Sequence, residues 1–257
     1  MPSVLFSKIF CFIIFYSFSA GNQINLFQDK GYIKNNIWIW EDLYSSLAEG
    51  KTPKELDSLF FGLRQIYFDK NSSEALFTSA MESWQMKISE ETGNNMILTG
   101  HAGKEKAELK LIRLDNKYKL QVKHLSTGMT FVPLPEKYNH KNGLAYFVND
   151  TYLSGKYTSV EDTTMLIRFN TDGTVTGIPG YDKYSIPVMC PECPRNVNII
   201  HFRNTEKKES TVFIWERDEG KIVLYKLIPE TNDVWDNQRY KNSVAGEKFL
   251  ELIRFPN

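Results

Sequence analysis

Three cysteines, four histidines and no excess charge leave this 257-residue chain with little of what catalytic and metal sites are made from. Basic and acidic residues each number 31, and no basic stripe stands out, so nucleic acid is not an expected partner. There is no G-x-S-x-G elbow. Serines beside glycine, such as Ser154-Gly155, have no indicated base, which removes the common hydrolase pattern. His101, His124, His140 and His201 stand at none of the spacings (i, i+4 on a helix, i, i+2 on a strand) that bring two imidazoles to one metal. Gly100-His101-Ala102-Gly103-Lys104 lacks the full spacing of a phosphate loop. The expectation is no cofactor, no metal and no catalytic residue. An enzyme taking its carboxylates from distant strands remains the least favoured of three readings.

Long apolar runs are equally scarce. The first 21 residues carry one positive charge, Lys8, then the apolar run Ile9 to Tyr16, then small residues that suit a signal peptidase. The run is shorter than the ~20 residues of a membrane span. Residues 1–21 are therefore read as a signal peptide, with no membrane span after its cleavage and a secreted or periplasmic location. Asn71-Ser72-Ser73 and Asn149-Asp150-Thr151 match the glycosylation triplet.

What the chain does have is aromatic residues, at 14%, and alternation. Residues 22–83 read as an N-terminal extended and helical segment. Trp40, Leu43, Tyr44 and Leu47 follow a helical stripe that Gly50 would end. Thr52-Pro53-Lys54-Glu55 has the form of a capping box, with Leu56, Leu59, Phe60, Leu63 and Tyr67 as the apolar face behind it. Ser73-Glu74 opens a weaker helical pattern through Met81.

From Trp84 the period becomes two. Ala107, Leu109 and Leu111 alternate with Lys106, Glu108 and Lys110; after the turn pair Asp115-Asn116, Tyr118, Leu120 and Val122 alternate with lysines and Gln121. The same grammar recurs around Asp172-Gly173 and Asp218-Glu219-Gly220. The predicted fold is mainly β: an antiparallel meander forming one barrel over 84–228, or two β lobes meeting near Thr151. A small helical N-terminal segment precedes it, and residues 229–257 form a tail with a helix or edge strand over 245–255.

Cys190-Pro191-Glu192-Cys193 is the sharpest local signal. Prolines bracket it and no helix follows, so the reading favoured is a local disulfide in an oxidising compartment, ahead of a free dithiol, a metal knuckle or a redox pair. His124 continues the inward stripe of Tyr118, Leu120 and Val122. It is either a polar anchor in a pocket or a core histidine.

Ser154-Gly155-Lys156-Tyr157, the run Met165 to Phe169, Thr171-Asp172-Gly173 and Val175-Thr176-Gly177 resemble the motifs of lipocalin-like domains, with Tyr157 in place of their tryptophan. The Trp215 strand running through Gly220 to Leu224-Tyr225 resembles their closing hairpins. Glu82-x-Trp84, Met96 and the strands to Val122 resemble secreted bacterial β-barrel families of unknown function. The resemblance implies a calycin-type barrel able to hold an apolar ligand. On this reading Trp84, Tyr118 and Trp215 line a cavity and His124 anchors a small hydrophobic ligand. The alternative is a protein-interaction or envelope-assembly module with a filled β core and a protein partner.

Overall fold

The computed structural model describes residues 32–255 apart from 60–62, 70–71, 80–81, 93, 101–104, 116, 125–126, 189, 191–192, 195, 219 and 230–242. The expected signal peptide over 1–21, residues 22–31, His101 and Asn71 lie outside the described residues.

The chain is mainly β and builds two eight-stranded antiparallel sheets of barrel form, the two-lobed version of the expected meander. In the first, β1 (Ile37–Trp40), β2 (Leu63–Phe68), β3 (Glu74–Ser79), β4 (Ser83–Thr92), β5 (Asn95–Gly100), β6 (Lys106–Leu114), β7 (Lys117–His124) and β8 (Thr127–Pro133) pair in chain order. β8 then returns to β1, with Trp38 opposite Pro133 and Trp40 opposite Phe131, which closes the barrel.

The second sheet runs through β9 (Gly155–Ser159), β10 (Leu166–Phe169), β11 (Val175–Thr176), β12 (Lys183–Ser185), β13 (Ile199–Asn204), β14 (Glu209–Asp218), β15 (Lys221–Pro229) and β16 (Ser243–Arg254). β16 returns to β9, and the edges β11 and β12 meet at a single bridge, Thr174 to Lys183. The Val175 amide donates to the Asp182 carbonyl at 2.9 Å and the Tyr184 amide to the Gly173 carbonyl at 2.7 Å. Both sheets are thus up-and-down meanders compatible with a lipocalin-like fold, with every connection joining neighbours.

Strands extend on both sides of the single barrel expected over 84–228: β1 to β3 precede Trp84 and β16 follows Ile228. The N-terminal stripe forms α1 (Glu41–Ala48), and Gly50 follows at φ +81°, donating its amide to the Leu47 carbonyl. Glu55 does reach back to Thr52, accepting from its amide at 2.7 Å and its hydroxyl at 2.6 Å. Only a 3-10 turn, Pro53–Leu59, follows. The expected helices over Leu63–Tyr67 and beyond Glu74 are instead β2 and β3. β2 is covered on both faces: Ile66 and Phe68 point into the first barrel, while Gln65 and Tyr67 face the second lobe. A strand buried on both faces loses the period of two and imitates a helical stripe. The expected C-terminal helix or edge strand is β16, an interior strand between β15 and β9.

Between the barrels lie a 3-10 turn, Glu136–Tyr138, and α2 (Gly143–Tyr152). A Cβ at Gly143 would sit 2.0 Å from the Tyr138 carbonyl oxygen, so only glycine lets α2 start there. Leu144, Val148 and Tyr152 of α2 join Ile37 and Ile39 on the outer face of β1 and the interior of the second barrel in one core; Trp38, between those isoleucines, points into the other. Asn149 is 4% exposed and donates its side-chain N–H to the Thr171 carbonyl at 3.0 Å. The nitrogen a glycan would need is therefore committed to the fold, which removes this triplet from consideration.

Candidate functional site

The four residues expected to line a cavity fall in three places. Trp84, at the start of β4, and His124, at the end of β7, meet at one mouth of the first barrel with ring centroids 5.8 Å apart. Phe77 of β3 lies beneath both, 5.9 Å from Trp84 and 6.2 Å from His124. The stripe that placed His124 inward follows from the pleat, because Leu120 and Val122 on the same face are buried. Trp84 Nε1 and His124 Nε2 are both buried without a hydrogen-bond partner. Buried polar atoms are normally partnered, so these two neighbouring nitrogens stand out, together with Arg64 Nε and Asn94 Oδ1 elsewhere in the same barrel.

Tyr118 sits at the other end of β7, at the opposite mouth. Its ring lies 4.3 Å from that of Tyr32, whose helical turn (residues 32–34) covers this end. Ile33 is buried in the barrel core, the Trp38 indole N–H donates to the Ile33 carbonyl at 2.9 Å, and Lys34 pairs with Glu91 at 3.1 Å. Trp215 belongs to the second barrel, where it is fully buried, donates its indole N–H to the Ile199 carbonyl at 3.1 Å and packs on Tyr152.

Between the mouths the described inward side chains of the first barrel pack against one another. Trp38, Ile66, Phe77, Met86, Leu98, Ala107, Leu120 and Phe131 have 0% exposure, so no water-sized void touches them. In the second barrel the same holds for Ile167, Ile200, Phe202, Trp215, Leu224 and Leu252.

Open space of about 690 Å³ lies against the first barrel, bordered by three rows of residues across β5 to β8. The middle row, Met96, Leu109, Val122 and Met129, is turned inward by register; the first three are at most 2% exposed. The space is therefore a groove on the outer wall. One side is Asn95, Lys110, Gln121 and Thr130, and the other is Ile97, Glu108, Lys123 and Gly128. Glu108 hydrogen-bonds Lys106, whose charge, with that of Lys123, holds the carboxyl below the usual carboxylate range. The sequence offered a signal for this face, since the lysines of β6 and β7 alternate with the core residues. Read strand by strand, they were only the wet side of a sheet; the register that sets two rows facing each other is a property of the assembled barrel.

Cys190 and Cys193 form a disulfide, with Cα atoms 5.3 Å apart and the Cys193 amide turned back to the Cys190 carbonyl. His140 is half-buried, its ring 4.1 Å from that of Tyr146. Among the described residues no three His, Cys, Asp or Glu side chains converge as a metal site would require, and no helix is long and apolar enough to cross a membrane. In comparisons with known proteins, no family, no curated protein and no solved structure matches this chain.

Proposed function

We propose that this protein is an exported, non-enzymatic protein-interaction module that works through the outer faces of its two barrels. The observation that carries the reading is the close packing of the described inward side chains in both barrels, which favours the walls as the surface for recognition. Exposed apolar side chains support it. Of the eight large ones among the described residues, all but Leu114 lie on the second barrel, and Val160, Leu166 and Ile253 belong to the neighbouring strands β9, β10 and β16 or the residue that follows. Grouped apolar residues on an outer sheet face are characteristic of interaction surfaces. The Cys190–Cys193 disulfide fits an oxidising compartment, and with it the export expected from the leader. Titrating the protein with a long-chain fatty acid while following tryptophan emission tests the reading: no saturable change is expected, and a saturable one overturns it.

The bare nitrogens of Trp84 and His124 favour a second reading, in which a small apolar ligand with a polar tip seats at that mouth rather than inside the barrel. This is the remaining form of the hydrophobic-ligand expectation. A fatty-acid response abolished by His124→Phe and by Trp84→Phe would establish it, and one indifferent to both would exclude it.

A further inference from the structure

From the outer wall of β5 to β8 we infer that the first barrel binds an extended acidic polypeptide segment, one carrying carboxylates at positions i and i+2. This rests on the reading of the protein as an interaction module and names the chemistry of the partner. The chain as a whole has no net charge, yet this wall is strongly polarised. Side chains turned outward from its four strands include Lys106, Lys110, Lys117, Lys119 and Lys123, against Glu108 alone. Lys106 is paired with Glu108 at 3.1 Å and Lys119 with Glu41 at 2.6 Å. Among the described residues Lys110 and Lys117 form no ion pair, and Lys123 faces Glu108 across the strands, acting on it through charge without closing a salt bridge, while Glu108 is bridged to Lys106. Glu90, opposite Ile97, and Glu41 bound the patch at its two edges.

The groove gives the charge a shape. Lys110 stands in one side and Lys123 in the other, one strand across and two residues along. With strands ~4.8 Å apart and a rise of ~3.4 Å per residue, their backbones are roughly 8 Å apart. In an extended peptide, residues i and i+2 project to the same side roughly 6.8 Å apart, a spacing that the long lysine stems accommodate. Asn95, Gln121 and Thr130 add hydrogen-bonding side chains along one side, and Ile97 an apolar contact on the other. The groove spans four strands, roughly 14 Å, the length of about four extended residues. A closed barrel has no free strand edge, so the peptide is held by side chains and not by strand addition. An anionic membrane is the less fitting occupant: the wall is a groove, and the large exposed apolar residues that would enter a bilayer surface lie elsewhere, Leu114 at the wall's end and the rest on the second barrel.

The test is fluorescence anisotropy of a labelled Glu-Ser-Glu-Ser repeat peptide with the full chain, against the same peptide with Gln for Glu. Saturable binding of the Glu peptide alone is expected, weakening with salt and at least about tenfold weaker in K110E/K123E. Lys207→Glu with Lys208→Glu, charge reversals on the second barrel, should leave it unchanged. Lys110→Gln with Lys123→Gln is the milder pair should the reversal perturb folding, and near-ultraviolet circular dichroism checks each variant. Absence of saturable binding, binding indifferent to both pairs of changes, or preference for phosphatidylserine vesicles over the peptide overturns the inference. Any of these leaves the interaction-module reading standing, because that reading is tested separately by the fatty-acid titration.

Discussion

Thr174 faces Lys183 across the one join of the second barrel that is made by a bridge and not by a ladder. The central ladders of that sheet are longer: β13 and β14 match over six residue pairs, and so do β14 and β15. Local opening starts where the fewest backbone bonds must break. Amide hydrogen exchange should therefore be faster at Val175 and Tyr184, whose bonds close the seam, than at Phe213 to Arg217 in β14. Equal protection would mean that the seam opens only with the whole barrel.

The turn beside the seam is built for glycine. Gly173 has φ +82°, and a Cβ there would lie 2.8 Å from the Tyr184 carbonyl oxygen. Gly173→Ala combines a left-handed backbone with a close contact to the opposite strand, so a loss of about 1–3 kcal/mol is expected in chemical denaturation. Gly220→Ala, equally left-handed at φ +87° but with nothing within 4 Å, should lose less.

Trp215 fills the centre of the second barrel and satisfies the Ile199 carbonyl. Trp215→Ala should destabilise by about 3–5 kcal/mol through the cavity it leaves. Trp215→Phe keeps most of the packing but strands the carbonyl, for about 1–3 kcal/mol. Denaturation midpoints at matched slopes give both values, and near-equal losses would show that the hydrogen bond is immaterial.

His201 on β13 is half-buried with its Nε2 unpartnered; burial first, and Arg203 second, hold it below the ordinary 6.5. The unfolded chain binds the proton near 6.5 and the folded protein only at lower pH, so between these values the unfolded state carries more protons. Stability present above the unfolded value is then lost as pH falls through the folded one. His201→Gln should lose less stability than the natural chain between about pH 7.5 and about pH 5. Identical losses would assign the acid sensitivity to other groups.

The Cys190–Cys193 disulfide closes a very short loop. Loop-closure entropy at that length is worth about 2 kcal/mol, so reduction should lower stability modestly and leave both barrels folded. Collapse of the structure on reduction would give the bond a larger part than its loop size allows.

The antiparallel meander was legible because half-buried strands write their register into the sequence: Lys106 to Leu111 and Tyr118 to Val122 alternate as their burial does. Turn chemistry at Asp115, Gly173 and Gly220 was equally plain, since each takes a positive φ that few residues tolerate. The disulfide followed from the spacing of two cysteines. Where tertiary contacts cover both faces of a segment, the pattern misleads, as it did for β2 and β3. The number of barrels was also beyond the local pattern, because it depends on β8 returning to β1 and β16 to β9, pairings about 90 residues apart in each case. The same closure separated Trp84 and His124 from Tyr118 and Trp215, and it set Lys110 and Lys123 on facing sides of a groove. By itself the sequence determined which residues turn inward on each strand. Which strands become neighbours, and hence what the outer wall can recognise, was decided by long-range pairing that no local period encodes.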